Sequence, residues 1–116
     1  MSDTVYDKSF LFAIRIVNAY KWLVDNRAEL VLSKQLLRCG TSIGANVSEA
    51  KGAFSKADFA FKMSTAYKEC LETQYWLKLL KDTKYLDEKV VSSLFCDADE
   101  IGRILYAIVK TAKKKQ

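Results

Sequence analysis

Residues 35–80, QLLRCGTSIGANVSEAKGAFSKADFAFKMSTAYKECLETQYWLKLL, decide the fold. Between Leu36 and Ala50, Leu36, Gly40, Ile43, Val47 and Ala50 recur at steps of three and four, the spacing of one helix face. Lys34, Arg38, Ser42, Ala45 and Glu49 take the opposite face. Each helical glycine costs roughly 1 kcal/mol against alanine. Gly40 and Gly44 inside such a run therefore point to a neighbouring backbone that must come close. A helix interrupted near Gly40 is the competing reading.

Gly52 is a stop signal, and Ser55 followed by Asp58 is a start of the capping-box type. The serine oxygen accepts an early backbone N–H, and Asp58 suits the positive helix end. From there Phe59, Met63, Ala66, Cys70, Leu77 and Leu80 make a core stripe, while Tyr67, Leu71 and Tyr75 make a second, displaced around the helix. Two apolar faces on one helix need two surfaces to bury against.

Outward from this stretch the pattern stays helical. Asp3 or Thr4 caps a first helix to about Asn26, with Tyr6, Phe10, Ala13, Ile14, Val17 and Val24 as its expected core. Phe12, Ile16, Ala19 and Leu23 form a further run on nearly the opposite side. Asp25–Arg27 reads as the turn into the second helix, with Ser33 as an alternative later cap. After a polar break at Asp82–Lys84, Asp87 and Glu88 supply negative charge for a last helix start. Its expected core is Leu86, Val90, Leu94, Ala98, Ile101, Leu105 and Ile108, and Val91, Phe95, Gly102, Tyr106 and Val109 widen that face. Four helices with short connections predict an all-α, up-and-down antiparallel four-helix bundle, one domain over residues 1–116.

The first, third and last helices carry more apolar surface than one four-helix core consumes. Monomers rarely leave such patches open. At about 25 cal/mol per Å², several hundred Å² of extra burial is on the order of 10 kcal/mol gross per subunit, which association entropy reduces. Self-assembly is the economical reading, with Phe12, Ile16, Leu23, Tyr67, Leu71, Tyr75, Phe95 and Tyr106 as candidate interface residues.

Composition bounds the rest. The chain has 116 residues, no proline and half its residues hydrophobic, which suits long uninterrupted helices around one core. Three cysteines without paired spacing, and neither a signal peptide nor a membrane span, lead to the expectation of a cytoplasmic protein with reduced thiols and no membrane partner. Nineteen basic residues against fourteen acidic ones give a formal net charge of +5. The surplus lies mainly in residues 30–86, which hold nine basic and five acidic side chains.

The absence of histidine removes the commonest general base, most zinc sites and the Glu-x-x-His motif of di-iron bundles. GTSIG lacks the lysine and spacing of a phosphate loop, and Ser42 and Ser48 have no histidine partner. No catalytic residue, cofactor or metal is expected. Glu69 and Glu72, one turn apart, with Glu49 across the bundle, allow a cation site or acid–base pair. The favoured reading is a polar network of Arg38, Glu49, Glu69 and Glu72 that fixes helix register. Lys34, Arg38, Lys51, Lys56, Lys62, Lys110, Lys113, Lys114 and Lys115 are candidates for phosphate contact by counterion release. Against this stands the plain reading that surface lysines solvate helices and that the last ones offset a negative helix end.

QLLRCGTSIGANVSEA, then Ser55, Asp58-Phe59, Lys68-Glu69, Glu72-Thr73 and Tyr75-Trp76-Leu77, carry a family resemblance over about the middle 45 residues. The chain resembles the four-helix-bundle proteins described as 23S rRNA intervening-sequence proteins, with Cys39 where a small hydroxyl residue is expected. That name records where some genes sit, inside rRNA insertions, and is not an activity. The resemblance implies a bundle assembled into a ring, a homopentamer. The chain is also similar to the accessory protein of diversity-generating retroelements, a pentameric bundle that binds nucleic acid and a reverse transcriptase. The expected function is therefore a non-enzymatic, self-assembling bundle that binds RNA or DNA through basic surfaces without strong base specificity. The alternative is a scaffold or accessory subunit that docks a partner protein.

Overall fold

The computed structural model describes residues 4–115. Four helices follow in order: α1, Val5–Arg27; α2, Leu32–Ala50; α3, Lys56–Asp82; and α4, Glu88–Lys114. Each neighbouring pair runs antiparallel. Ser9 and Ile16 of α1 meet Gly44 and Gly40 of α2, Arg38 and Glu49 of α2 meet Glu69 and Lys62 of α3, and Cys70 of α3 meets Ala98 of α4. Arg15 and Lys8 of α1 close the square onto Asp97 and Glu100 of α4 at 2.6 and 3.2 Å. α1 and α3 stand on one diagonal without touching, so their outward faces point in opposite directions.

Local chemistry sets the helix ends. Thr4 caps α1 by accepting the Asp7 N–H, and Asp3, the other candidate, lies outside the described residues. At α3, Ser55 Oγ accepts the Asp58 N–H at 3.0 Å while Asp58 accepts the Phe54 N–H at 3.1 Å, the reciprocal box expected from the sequence. Asp87 caps α4 through the Lys89 N–H. α3 ends with Lys84 in the left-handed region, φ 69°, and the Tyr85 N–H returning to the Leu80 carbonyl at 2.9 Å.

The entry to α2 differs from expectation. α1 continues through Arg27, and the link is residues 28–31. The cap is Glu29, whose buried carboxylate accepts the N–H groups of Val31, Leu32 and Ser33 at 3.2, 2.9 and 2.7 Å. Ser33 is already helical, and its hydroxyl donates to the Glu29 carbonyl at 2.6 Å. Burial pushes the Glu29 carboxyl upward, but the three backbone donors and the serine more than offset it, so its pKa lies below the usual value.

The α2 stripe is buried as read: Leu36, Gly40, Ile43, Val47 and Ala50 all face the core, and the helix runs unbroken past Gly40. A Cβ at Gly40 would come within 2.8 Å of two Ile16 carbons, and one at Gly44 within 3.2 Å of the Ser9 carbonyl oxygen. α1 therefore rests on bare backbone here. On the other side of the bundle α3 and α4 approach at Cys70, Ala98 and Gly102. Burial and hydrogen bonding hold the Cys70 thiol, whose Sγ donates to the Ala98 carbonyl, in a packing role, and burial pushes its pKa up to about 12.

The α1 assignment is corrected. Phe12, Ile16 and Leu23, expected at an interface between copies, are fully buried in the protomer's own core with Val5 and Ser9. Phe10 and Ile14, expected inside, are 65% and 45% exposed. The reason is steric. Ile16 and Ser9 lie against Gly40 and Gly44, where a Cβ would come too close. At α4 the expected Leu86, Leu94, Ala98, Ile101 and Leu105 are buried as read, and the one exchange is at the start, where Val91 is inside and Val90 exposed. The five remaining interface candidates are Tyr67, Leu71, Tyr75, Phe95 and Tyr106. Tyr67 is half-buried and the other four are exposed on α3 and α4, and Tyr67 and Tyr106 are in ring contact at 5.7 Å.

Two outcomes follow in chemical denaturation. Gly40→Ala should lose about 1–3 kcal/mol, because buried Ile16 has nowhere to move, whereas Gly52→Ala, whose nearest contact would be an ordinary 3.8 Å, should stay within about 0.5 kcal/mol. Glu29→Gln should cost roughly 1 kcal/mol at neutral pH. With a depressed folded pKa, the wild-type advantage is present above the unfolded carboxylate pKa and should vanish as pH falls through the folded one. An advantage that persisted in strong acid would contradict this cap.

Candidate nucleic-acid interface

The polar network forms in part. Arg38 pairs with Glu69 at 3.3 Å and, more closely, with Glu72, which also accepts the Trp76 indole N–H at 2.9 Å. Slight desolvation works against the guanidinium charge, but Glu72 and Glu69 outweigh it and raise the Arg38 pKa above its usual value. Glu49 is not part of this group. It lies eleven residues along α2, roughly 16 Å at 1.5 Å per residue, and pairs with Lys62 at 2.8 Å. Its hydrogen bond and charge raise the Lys62 pKa. Among the described residues no three His, Cys, Asp or Glu side chains gather to hold a metal ion.

These pairs divide the cation candidates. Arg38 and Lys62 are each neutralised by carboxylates, and exposed Lys34 stands at the far end of α2. Six others, Lys51, Lys56, Lys110, Lys113, Lys114 and Lys115, come together where α2 and α4 end and α3 begins. The segments that build this end, residues 4–10, 49–62 and 107–115, hold eight basic and three acidic side chains. The remaining described residues hold eleven basic and ten acidic side chains, so most of the surplus positive charge sits at one end of a body 46 Å long. Lys62 pairs with Glu49 and Lys8 with Glu100 here, and the surplus is carried by Lys51, Lys56, Lys110 and Lys113–Lys115.

Between the lysines lies an apolar groove of about 780 Å³, lined by Tyr6, Ala50, Phe59, Ile108 and Ala112 and by the turn residues Ala53 and Phe54. Lys51, Lys56 and Lys115 stand in its wall, and among the described residues no carboxylate does. Lys51 also sits over the Tyr6 ring at 4.5 Å. The capping box fixes the turn, since Asp58 holds the Phe54 N–H and Ser55 holds the Asp58 N–H. Phe54 is nonetheless fully exposed. Sequence reasoning missed this residue and the groove. The available signal was an aromatic inside KGAFSK, a basic turn with no helix stripe to claim it.

No helix among the described residues is long and apolar enough to cross a membrane. No functionally curated protein matches the chain. A solved structure of a protein of unknown function from the S23 ribosomal protein family of Bacteroides thetaiotaomicron superposes with a TM-score of 0.91 at 51% identity, covering 92% of this chain and 99% of that one. The profile of the 23S rRNA-intervening sequence proteins matches residues 2–107. With the four-helix bundle and the Arg38–Glu69–Glu72 cluster inside the matched span, the chain belongs to the 23S rRNA-intervening sequence protein family.

Proposed function

We propose that this chain assembles into a closed homo-oligomeric ring and that the ring binds RNA or another nucleic acid electrostatically at its basic end, in the cytoplasm and without catalysing a reaction. The observation that carries this reading is the collection of most of the surplus positive charge at one end of the bundle. Every copy in a ring adds its end to the same particle. Five copies, the number implied by resemblance to pentameric bundles, would bring about +25 to it.

Assembly is supported by two apolar faces on different helices: Phe10, Leu11 and Ile14 on α1, and Leu71 and Tyr75 on the diagonally placed α3 with Phe95 and Tyr106 on α4. Different patches pointing in opposite directions suit a head-to-tail contact, which closes into a ring when the rotation per subunit allows. A self-complementary dimer would use one face twice and leave the other open. A second reading, a scaffold that docks a partner protein, is supported by Leu30 and Val31, which are exposed at the opposite end and belong to neither side face.

Light-scattering mass after size exclusion, with and without structured RNA at low and raised salt, tests the reading. A ring of about five subunits is expected, gaining mass with RNA at low salt and releasing it at raised salt as counterions compete. Tyr75→Lys should reduce the particle to single subunits with unchanged helix content. The triple change of Lys51, Lys56 and Lys115 to Gln should keep the ring and flatten the salt dependence. A ring indifferent to RNA would favour the scaffold, and a monomeric wild type would contradict assembly.

A further inference from the structure

We propose that the groove at the basic end takes unpaired nucleotides, with a base stacked on Phe54 and the adjoining phosphates held by Lys51, Lys56 and Lys115. This rests on the nucleic-acid reading above and adds to it the class of strand.

Three features converge. The Phe54 ring is fully exposed, and the backbone that carries it is fixed, because its own N–H is tied to Asp58 and the next residue caps α3. A protruding ring on a fixed turn offers a flat π-face at little ordering cost, and base–aromatic stacking of this kind tolerates any base. Lysines stand on either side of it in the chain, Lys51 before and Lys56 after, and Lys115 approaches from α4. A strand that places a base on the ring therefore finds three cations for its phosphates in the same groove. Finally, the groove beneath has room for a base and its sugar and is walled by Tyr6, Phe59 and Ile108, and among the described residues no carboxylate lines it, the nearby Asp58 being held by the Phe54 N–H.

The geometry excludes duplex as the preferred occupant of this ring. Bases in a duplex are already stacked, and only a loop, bulge or strand end presents a free face to an aromatic side chain. Lysines alone would bind duplex and single strand through the same counterion release. Phe54 is the group that distinguishes them.

Fluorescence anisotropy of the intact protein with labelled oligouridylate and with a GC-rich RNA hairpin stem of equal length is the test, using Phe54→Ala and Phe54→Trp. Because the side chain is fully exposed, both variants keep the fold. Wild type should favour the single strand, Phe54→Ala should lose roughly tenfold or more of that affinity with stem binding unchanged, and Phe54→Trp should retain it. Equal affinity for strand and stem, or no effect of Phe54→Ala, would overturn the stacking site while leaving general RNA binding in place. Wild type that binds neither RNA at low salt would overturn the underlying reading as well. Binding of a glutamate-rich peptide with the same Phe54 dependence would overturn it in favour of an acidic protein partner.

Discussion

The contact on which the rest depends is the seating of α1 on the bare backbone of α2, Ile16 against Gly40 and the Ser9 carbonyl against Gly44. Packed interiors leave no slack for a misplaced methyl group, so this one fit fixes the rotation of α1 about its axis. Phe12, Ile16 and Leu23 then go inward, and Phe10 and Ile14 are turned out. The same principle recurs at lower tension between α3 and α4, where Gly102 admits the Cys70 sulfur and the outward side keeps Leu71, Tyr75 and Tyr106. Surplus apolar surface is thus a consequence of how the core is packed.

Antiparallel topology does for charge what the glycine track does for apolar surface. Lys51 and Lys56 lie about sixty residues from Lys110 and Lys113–Lys115 in the chain, yet an up-and-down path returns them to one end. The register that sets Arg38 between Glu69 and Glu72 also sets Glu49 beside Lys62, so cations on the flanks of α2 and α3 meet carboxylates. Surface ion pairs of this kind contribute little to stability, typically under about 1 kcal/mol. Their effect here is to balance charge along the bundle, while most of the surplus gathers at the end that carries the Phe54 turn.

Much of this was legible in the chain. One apolar stripe and two glycines are enough to orient α2, and a serine and an aspartate three residues apart are enough to start α3, because both signals are local. α1 was not legible in the same way. Two apolar runs of similar strength share it, and period alone cannot choose between Phe10–Ile14 and Phe12–Ile16; the choice lies in a fit to another helix. Glu29 escaped notice because caps are sought among short polar side chains, while a glutamate in a turn can reach three amides at once. At the site, the individual lysines were readable but their grouping was not. Counting along the chain placed the charge surplus in the middle, whereas the fold places it at one end. Phe54 was passed over because stripe analysis weighs residues on helices.

The central claim is that the two outward apolar faces of different helices meet one another between copies. In a background with exposed Cys96 replaced by alanine, and with Cys39 and Cys70 buried, Phe10→Cys and Tyr75→Cys subunits can be mixed and oxidised, and the cross-linked products weighed. The account predicts disulfide-linked pairs in the mixture and none from either variant alone. Efficient cross-linking of one variant with itself would mean that a face meets its own copy, and the head-to-tail ring would be wrong.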